Sequence, residues 1–212
     1  MKFLIFALVS STVWAAPARL TFTKKFPKST PPYTYVSVDR TGTLTYKESP
    51  DDSQPVTAHL QESDVDTLFG MAEKLGYFHS PLESGLKVAD TGKKTFRYEP
   101  ESGPAAEASF NYSVNPTAQQ LLERFEDIAE SERAFVTLQS TMRYDKLGVN
   151  DALADIESLW LRKQLAAPDQ FIPLLTRISS HESFMHLVRA RAARLKDEFQ
   201  AAPTASSAPK QQ

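Results

Sequence analysis

The sequence predicts an α+β fold: an antiparallel β-sheet with one packed helix, then a C-terminal helical segment of three to four helices. Three observations carry that expectation. From Leu20 to about Leu60, apolar and β-branched residues alternate with polar ones at the period of a half-buried strand. After Tyr112 the apolar spacing changes to that of a helix. The chain has no cysteine in 212 residues, so no disulfide can replace an apolar core.

The elements follow in order. "LTFT" alternates, and "YTYVSV" (33–38) and "TLTYKE" (43–48) flank Asp39-Arg40-Thr41-Gly42, a four-residue turn ending in glycine. "PVTAHL" is a further short strand. A helix then opens at Ser63, paired with Asp66 as a capping box. Its stripe is Val65, Leu68, Phe69, Ala72 and Leu75, and Gly76 ends it. In "KTFRYE" Phe96 and Tyr98 share one face, as do Ala108, Phe110 and Tyr112 in "AEASFNYSV", so one sheet face is buried beneath the preceding helix.

Asn115 caps the next helix with Pro116 at its first position; its apolar residues run from Leu121 to Met142. It continues to Leu147 or breaks near Ser131. Asn150 caps a helix whose face is Leu153, Ile156, Leu159 and Trp160. Pro168 opens a short helix that Pro173 kinks or delays. Ser179 and Glu182 form a capping box for the last helix, with Phe184, Leu187, Val188, Leu195 and Phe199 inside.

Both ends bear on location. Lys2, the apolar run "FLIFALVSSTVW" and the small residues around Val13-Trp14-Ala15 have the layout of a secretory signal over 1–15, cleaved after Ala15 or Ala16. That run is shorter than the roughly 20 apolar residues that span a bilayer, so no transmembrane segment is expected after cleavage. The expected organisation is a sheet domain over 16–113, a helical segment over 114–200 packed on it, and a disordered tail over 201–212. The formal charge of −2, from 24 basic and 26 acidic residues, gives no global field for nucleic acid.

Few motifs suggest chemistry. Asp90-Thr91-Gly92 is the aspartic-protease tripeptide, but it occurs once, and no later apolar strand ends in the supporting glycine. Gly92-Lys93-Lys94-Thr95 fails as a phosphate loop, because Lys87 stands where a glycine belongs and a strand follows instead of a helix. Both read as a turn before a strand, with its lysines as solvated edge residues. His181 and His186, five apart, lie about 140° apart on a regular helix and cannot share a metal there. "DKLGVND" (145–151) lacks the alternating oxygen ligands of a calcium loop. No Gly-x-Ser-x-Gly elbow is present. No metal or cofactor is expected.

At "PLESGLKVADTGKKTFRYE", "FNYS" and "RYDKLGVNDAL" the chain resembles a family of uncharacterised exported bacterial proteins, over about Leu20 to Phe199. Its "YVSVDRTGTLTYKE" part also resembles a broader domain of unknown function in secreted proteins and lipoproteins. That broader family carries cysteines before the first hairpin, where this chain has Phe26-Pro27-Lys28-Ser29. The resemblance implies export and an α+β core, and carries no activity over to this chain. The functional expectation is a non-catalytic binding or interaction module of the cell envelope, periplasmic or secreted. Its partner would be another envelope protein, a peptide or a polymer. The candidate surface is Lys87, Asp90, Lys93, Lys94, Asn111 and Tyr112 around the last hairpin. The alternative is a hydrolase of peptide or cell-wall material, requiring a pocket where carboxylates or a Ser–His pair converge.

Overall fold

The computed structural model describes residues 16–201; the expected signal segment (1–15) and positions 202–212 of the expected tail lie outside them. Six antiparallel strands form one sheet in the order β4-β3-β2-β1-β5-β6. These are β1 (Arg19–Lys25), β2 (Tyr33–Asp39), β3 (Thr43–Lys47), β4 (Val56–His59), β5 (Lys93–Glu99) and β6 (Ala106–Phe110). The first strand is central: Phe22 stands opposite Val36 on one side and Phe96 on the other. Strands β2 to β4 therefore build outward in one direction, and the chain returns through α1 (Glu62–Lys74) to add β5 and β6 on the free side.

Local chemistry fixes the first hairpin. Asp39 Oδ1 accepts from the Thr41 amide (2.9 Å), the Thr41 hydroxyl (2.6 Å) and the Thr43 amide (3.0 Å). Gly42 then takes φ +90°, which a side chain would resist.

The period-two residues Leu20, Phe22, Val36, Val38, Leu44, Tyr46, Phe96, Ala108 and Phe110 are all buried. Two helices cover them. Helix α1 contributes Val65, Leu68, Phe69 and Ala72; α2 (Pro116–Tyr144) contributes Ala118, Leu121, Phe125 and Ile128. Phe125 stacks on Phe22 at 5.4 Å, and Phe96 has Phe22, Phe78, Phe110 and Phe125 within 5.9 Å.

Helix α2 does not break. It runs 29 residues, about 43 Å at the standard rise, with Asn115 Oδ1 accepting from the amides of Thr117 (2.9 Å) and Ala118 (3.3 Å). It stops at Tyr144, three residues before Leu147. Its C-terminal half enters a second core with α3 (Val149–Leu161), α4 (Ile172–Ser180) and α5 (His186–Ala201). That core holds Leu138, Val149, Leu153, Ile156, Phe171, Leu175, Ile178, Val188, Leu195 and Phe199. A 3-10 turn over Pro168–Phe171 precedes α4, which accommodates Pro173 in its first turn.

Three expected caps are corrected. Leu60 is pinned by its amide to the Gly42 carbonyl (2.9 Å), so α1 starts just after β4 with Gln61 at its N-cap. Asp66 pairs with Arg40 at 3.1 Å instead of capping. Helix α3 begins at Val149 after Gly148, whose amide meets Asp145, while Asn150 Oδ1 accepts from Arg191 (2.8 Å). Ser179 lies in the last turn of α4 and donates back to the Thr176 carbonyl (2.9 Å), and α5 begins only at His186. Leu187, expected inside, is in solvent, while its neighbour Val188, about 100° further round the helix, is buried. Ala201, expected in the tail, is the last residue of α5.

Candidate binding surface beside the last hairpin

The segment between the 3-10 turn at Gly76–Phe78 and β5 has no regular secondary structure, yet polar contacts hold it at defined points. Asn111 is the main anchor. Its Oδ1 accepts from the Thr91 amide (2.9 Å) and hydroxyl (3.2 Å), and its Nδ2 donates to the Ala89 carbonyl (3.0 Å). The Asn111 amide donates to Glu83 Oε2 (2.6 Å), and the Ser84 amide donates to the Tyr112 carbonyl (2.8 Å). The Asn111 amide holds the Glu83 carboxyl below its ordinary range.

Asp90-Thr91-Gly92 forms a turn. Asp90 Oδ1 accepts from the Gly92 amide (2.9 Å), which occupies one oxygen of the carboxylate. Gly92 has φ +95°, and a Cβ there would lie 2.5 Å from the Phe26 Cβ.

Lys94 corrects the expectation of solvated edge lysines. Strand β5 lies between β1 and β6, and Lys94 is only 4% exposed. Its ammonium donates to Thr91 Oγ1 (2.7 Å), the Asn111 carbonyl (2.8 Å) and the Gly92 carbonyl (3.3 Å). Burial, seconded by the Lys24 charge, lowers its pKa, while Glu126, Asp90 and Glu83 oppose that shift. Of the six candidate residues, Lys87, Asp90, Lys93 and Tyr112 face solvent; Asn111 is half-buried and Lys94 is beneath the surface.

Sequence reasoning missed the apolar members of this surface. Leu86, Val88 and Val114 are exposed beside Tyr112 on the two segments that Asn111, Glu83 and Ser84 tie together. The available signal was Leu86-Lys87-Val88, an apolar pair outside every element whose period would bury it.

Elsewhere, a groove of about 650 Å³ runs between β1, the proline turn before β2, and helices α2 and α3. Several of its charges are paired: Lys24 with Glu126 at 2.8 Å, and Arg133 with Glu130 at 3.4 Å and Glu48 at 3.8 Å. Arg162, also on its lining, hydrogen-bonds Gln164 and Ser158 instead. Ser29, on its rim, donates to the carbonyls of Phe26 and Pro31. Among the described residues no serine hydroxyl is hydrogen-bonded to a histidine ring, and no three of His, Asp and Glu gather as a metal site. His181 and His186 fall outside one regular helix: His181 accepts from the Ser183 amide (3.2 Å) in the turn, and His186 opens α5.

The most perturbed carboxyl is Glu132, inside α2 and fully buried. Its Oε1 accepts from Gln170 Nε2 (2.7 Å), while Glu132 Oε2 and Gln170 Oε1 have no partner. Burial pushes its pKa up to about 7, against the Gln170 hydrogen bond. A proton on Oε2 would turn one unpartnered acceptor into a donor.

No protein-family model matches this chain, and no curated protein matches it.

Proposed function

We propose that the protein is an exported, non-catalytic binding module that takes an extended peptide segment of another envelope protein beside its last hairpin. One observation carries this reading: Leu86, Val88, Tyr112 and Val114 stand in solvent on segments that a polar network holds in place. Exposing large apolar groups on a fixed loop opposes burial, and contiguous patches of that kind mark interaction sites. Adjacent to them, β6 ends the sheet, and no described strand pairs with its outer edge. An added strand would gain main-chain hydrogen bonds there and side-chain contacts from the loop. The solvated charges of Lys87, Asp90 and Lys93 would form the rim. Export rests on the arrangement of the first fifteen residues.

A photoreactive residue in place of Leu86 or Val88, in the native envelope, is expected to cross-link one partner. The purified partner should bind the wild-type chain and lose at least about tenfold in affinity against Leu86→Ser with Tyr112→Ser. Unchanged affinity with those variants removes this reading. Charge reversal at Lys94 is unsuitable as a test, because its ammonium is structural.

A further inference from the structure

The nine large apolar side chains exposed among the described residues divide unevenly. Four belong to the loop surface above, and Leu161 stands alone. The remaining four, Tyr144, Leu147, Met185 and Leu187, lie at one end of the helical unit. They sit on or beside the α2–α3 and α4–α5 turns, which are side by side: Lys146 Nζ is 5.8 Å from the centre of the Phe184 ring. Tyr144 and Leu147 are each 77% exposed.

Tyr144 also lines a second groove, of about 620 Å³, between α2 and α4. Its floor includes Val136, Met142 and Leu174, its cations are Arg143 and Arg177, and it has no carboxylate. Neither arginine is in an ion pair among the described residues, and the larger groove differs in being lined by four carboxylates, Glu123, Glu126, Asp127 and Glu130. The carboxylates at this end, Asp145, Asp151 and Glu182, lie on or beside the turns and outside the groove lining; Asp145 accepts from the Gly148 amide. His181 and His186 are exposed there as well.

We infer that this end of the molecule docks on the surface of an anionic phospholipid bilayer. Arg143 and Arg177 hold headgroup phosphates, and Tyr144, Leu147, Met185 and Leu187 enter the headgroup–acyl boundary. Guanidinium suits phosphate through paired N–H donors. Unpaired cations bordering exposed apolar groups match an interface that is negative outside and apolar a few ångströms below. No described helix is long and apolar enough to cross a membrane, so the contact is peripheral.

The test is co-sedimentation of the mature chain with vesicles rich in phosphatidylglycerol, against vesicles of phosphatidylcholine. Binding is expected to the first only, and to weaken with salt. Arg143→Glu with Arg177→Glu should reduce it at least about tenfold, and Leu147→Ser with Leu187→Ser by a similar factor. Circular dichroism of both variants checks that the fold survives. Leu86→Ser with Tyr112→Ser should leave vesicle binding intact, which separates this inference from the peptide reading. It is overturned if wild type ignores the anionic vesicles or if both end variants bind as wild type does. Full competition by inorganic phosphate, with the leucines dispensable, would mean a bare anion site and would also overturn it. So would a concentration-dependent dimer, without vesicles, that the same leucine variant dissolves.

Discussion

Lys94 carries an unusual amount of structure for one side chain. Its three hydrogen bonds join the Asp90 turn to the segment after β6, so Lys94→Met would leave the Gly92 and Asn111 carbonyls without their donor. A loss of about 2 kcal/mol is expected by urea denaturation, together with weaker partner binding through a loosened loop. At Gly92, alanine would meet both an unfavourable φ and the Phe26 side chain at 2.5 Å. Gly92→Ala should destabilise by at least about 1–2 kcal/mol in the same assay. Glu132 sets a pH dependence. Its folded pKa of about 7 lies above its ordinary 4.5, so the unfolded chain releases this proton first as pH rises. Its contribution to stability therefore falls between about pH 4.5 and 7 and is level outside that window, a difference of about 3 kcal/mol. Glu132→Gln should remove that slope and be more stable than wild type at pH 8, read from urea midpoints across the range.

At the scale of elements, α2 matters most, because its two halves face different cores. Its start rests on Asn115, and Asn115→Ala should cost about 1 kcal/mol. Its middle is tied to the α3–α4 connection by Ser131, which is buried, accepts from the Ala166 amide (2.8 Å) and donates to the Asp127 carbonyl (2.8 Å). Of the two courses the sequence left open, a continuous helix or a break near Ser131, the helix takes the first, and the Ser131 hydroxyl is used across the seam while the helix continues. Ser63, Asn150 and Ser179 all have capping chemistry, but none is used as a cap. Helix α1 starts after Gln61, next to the Leu60 amide bound to the Gly42 carbonyl, Asn150 Oδ1 accepts from Arg191, and the Ser179 hydroxyl donates to the Thr176 carbonyl.

For the whole molecule, a helix common to both cores implies that they unfold together. Phe125→Ala removes a ring packed on Phe22 and Phe96 in the sheet core and should cost about 3–5 kcal/mol. It should also lower hydrogen-exchange protection in α3 and α5, which it does not touch. Protection lost from the sheet alone would show that the two cores open independently. The two exposed apolar groups lie on different parts of this unit: one beside the sheet edge, the other at the end of the helices. That arrangement would let a partner segment and a membrane surface be engaged at once.

The place of every strand, the first hairpin, the Asn115 cap and the change from sheet to helices near residue 113 were legible in the sequence, because those depend on period and turn chemistry over a few residues. The last strand's pattern runs past its end, since β6 stops at Phe110 and Tyr112, expected on its buried face, is exposed. Which side chains around the last hairpin face solvent depends on tertiary packing. Lys94 is inside because β1 and β6 flank β5, a pairing between segments distant in the chain. Leu86, Val88 and Leu187 are outside because burial depends on what packs opposite a residue, and a residue's own apolar character does not specify its neighbour.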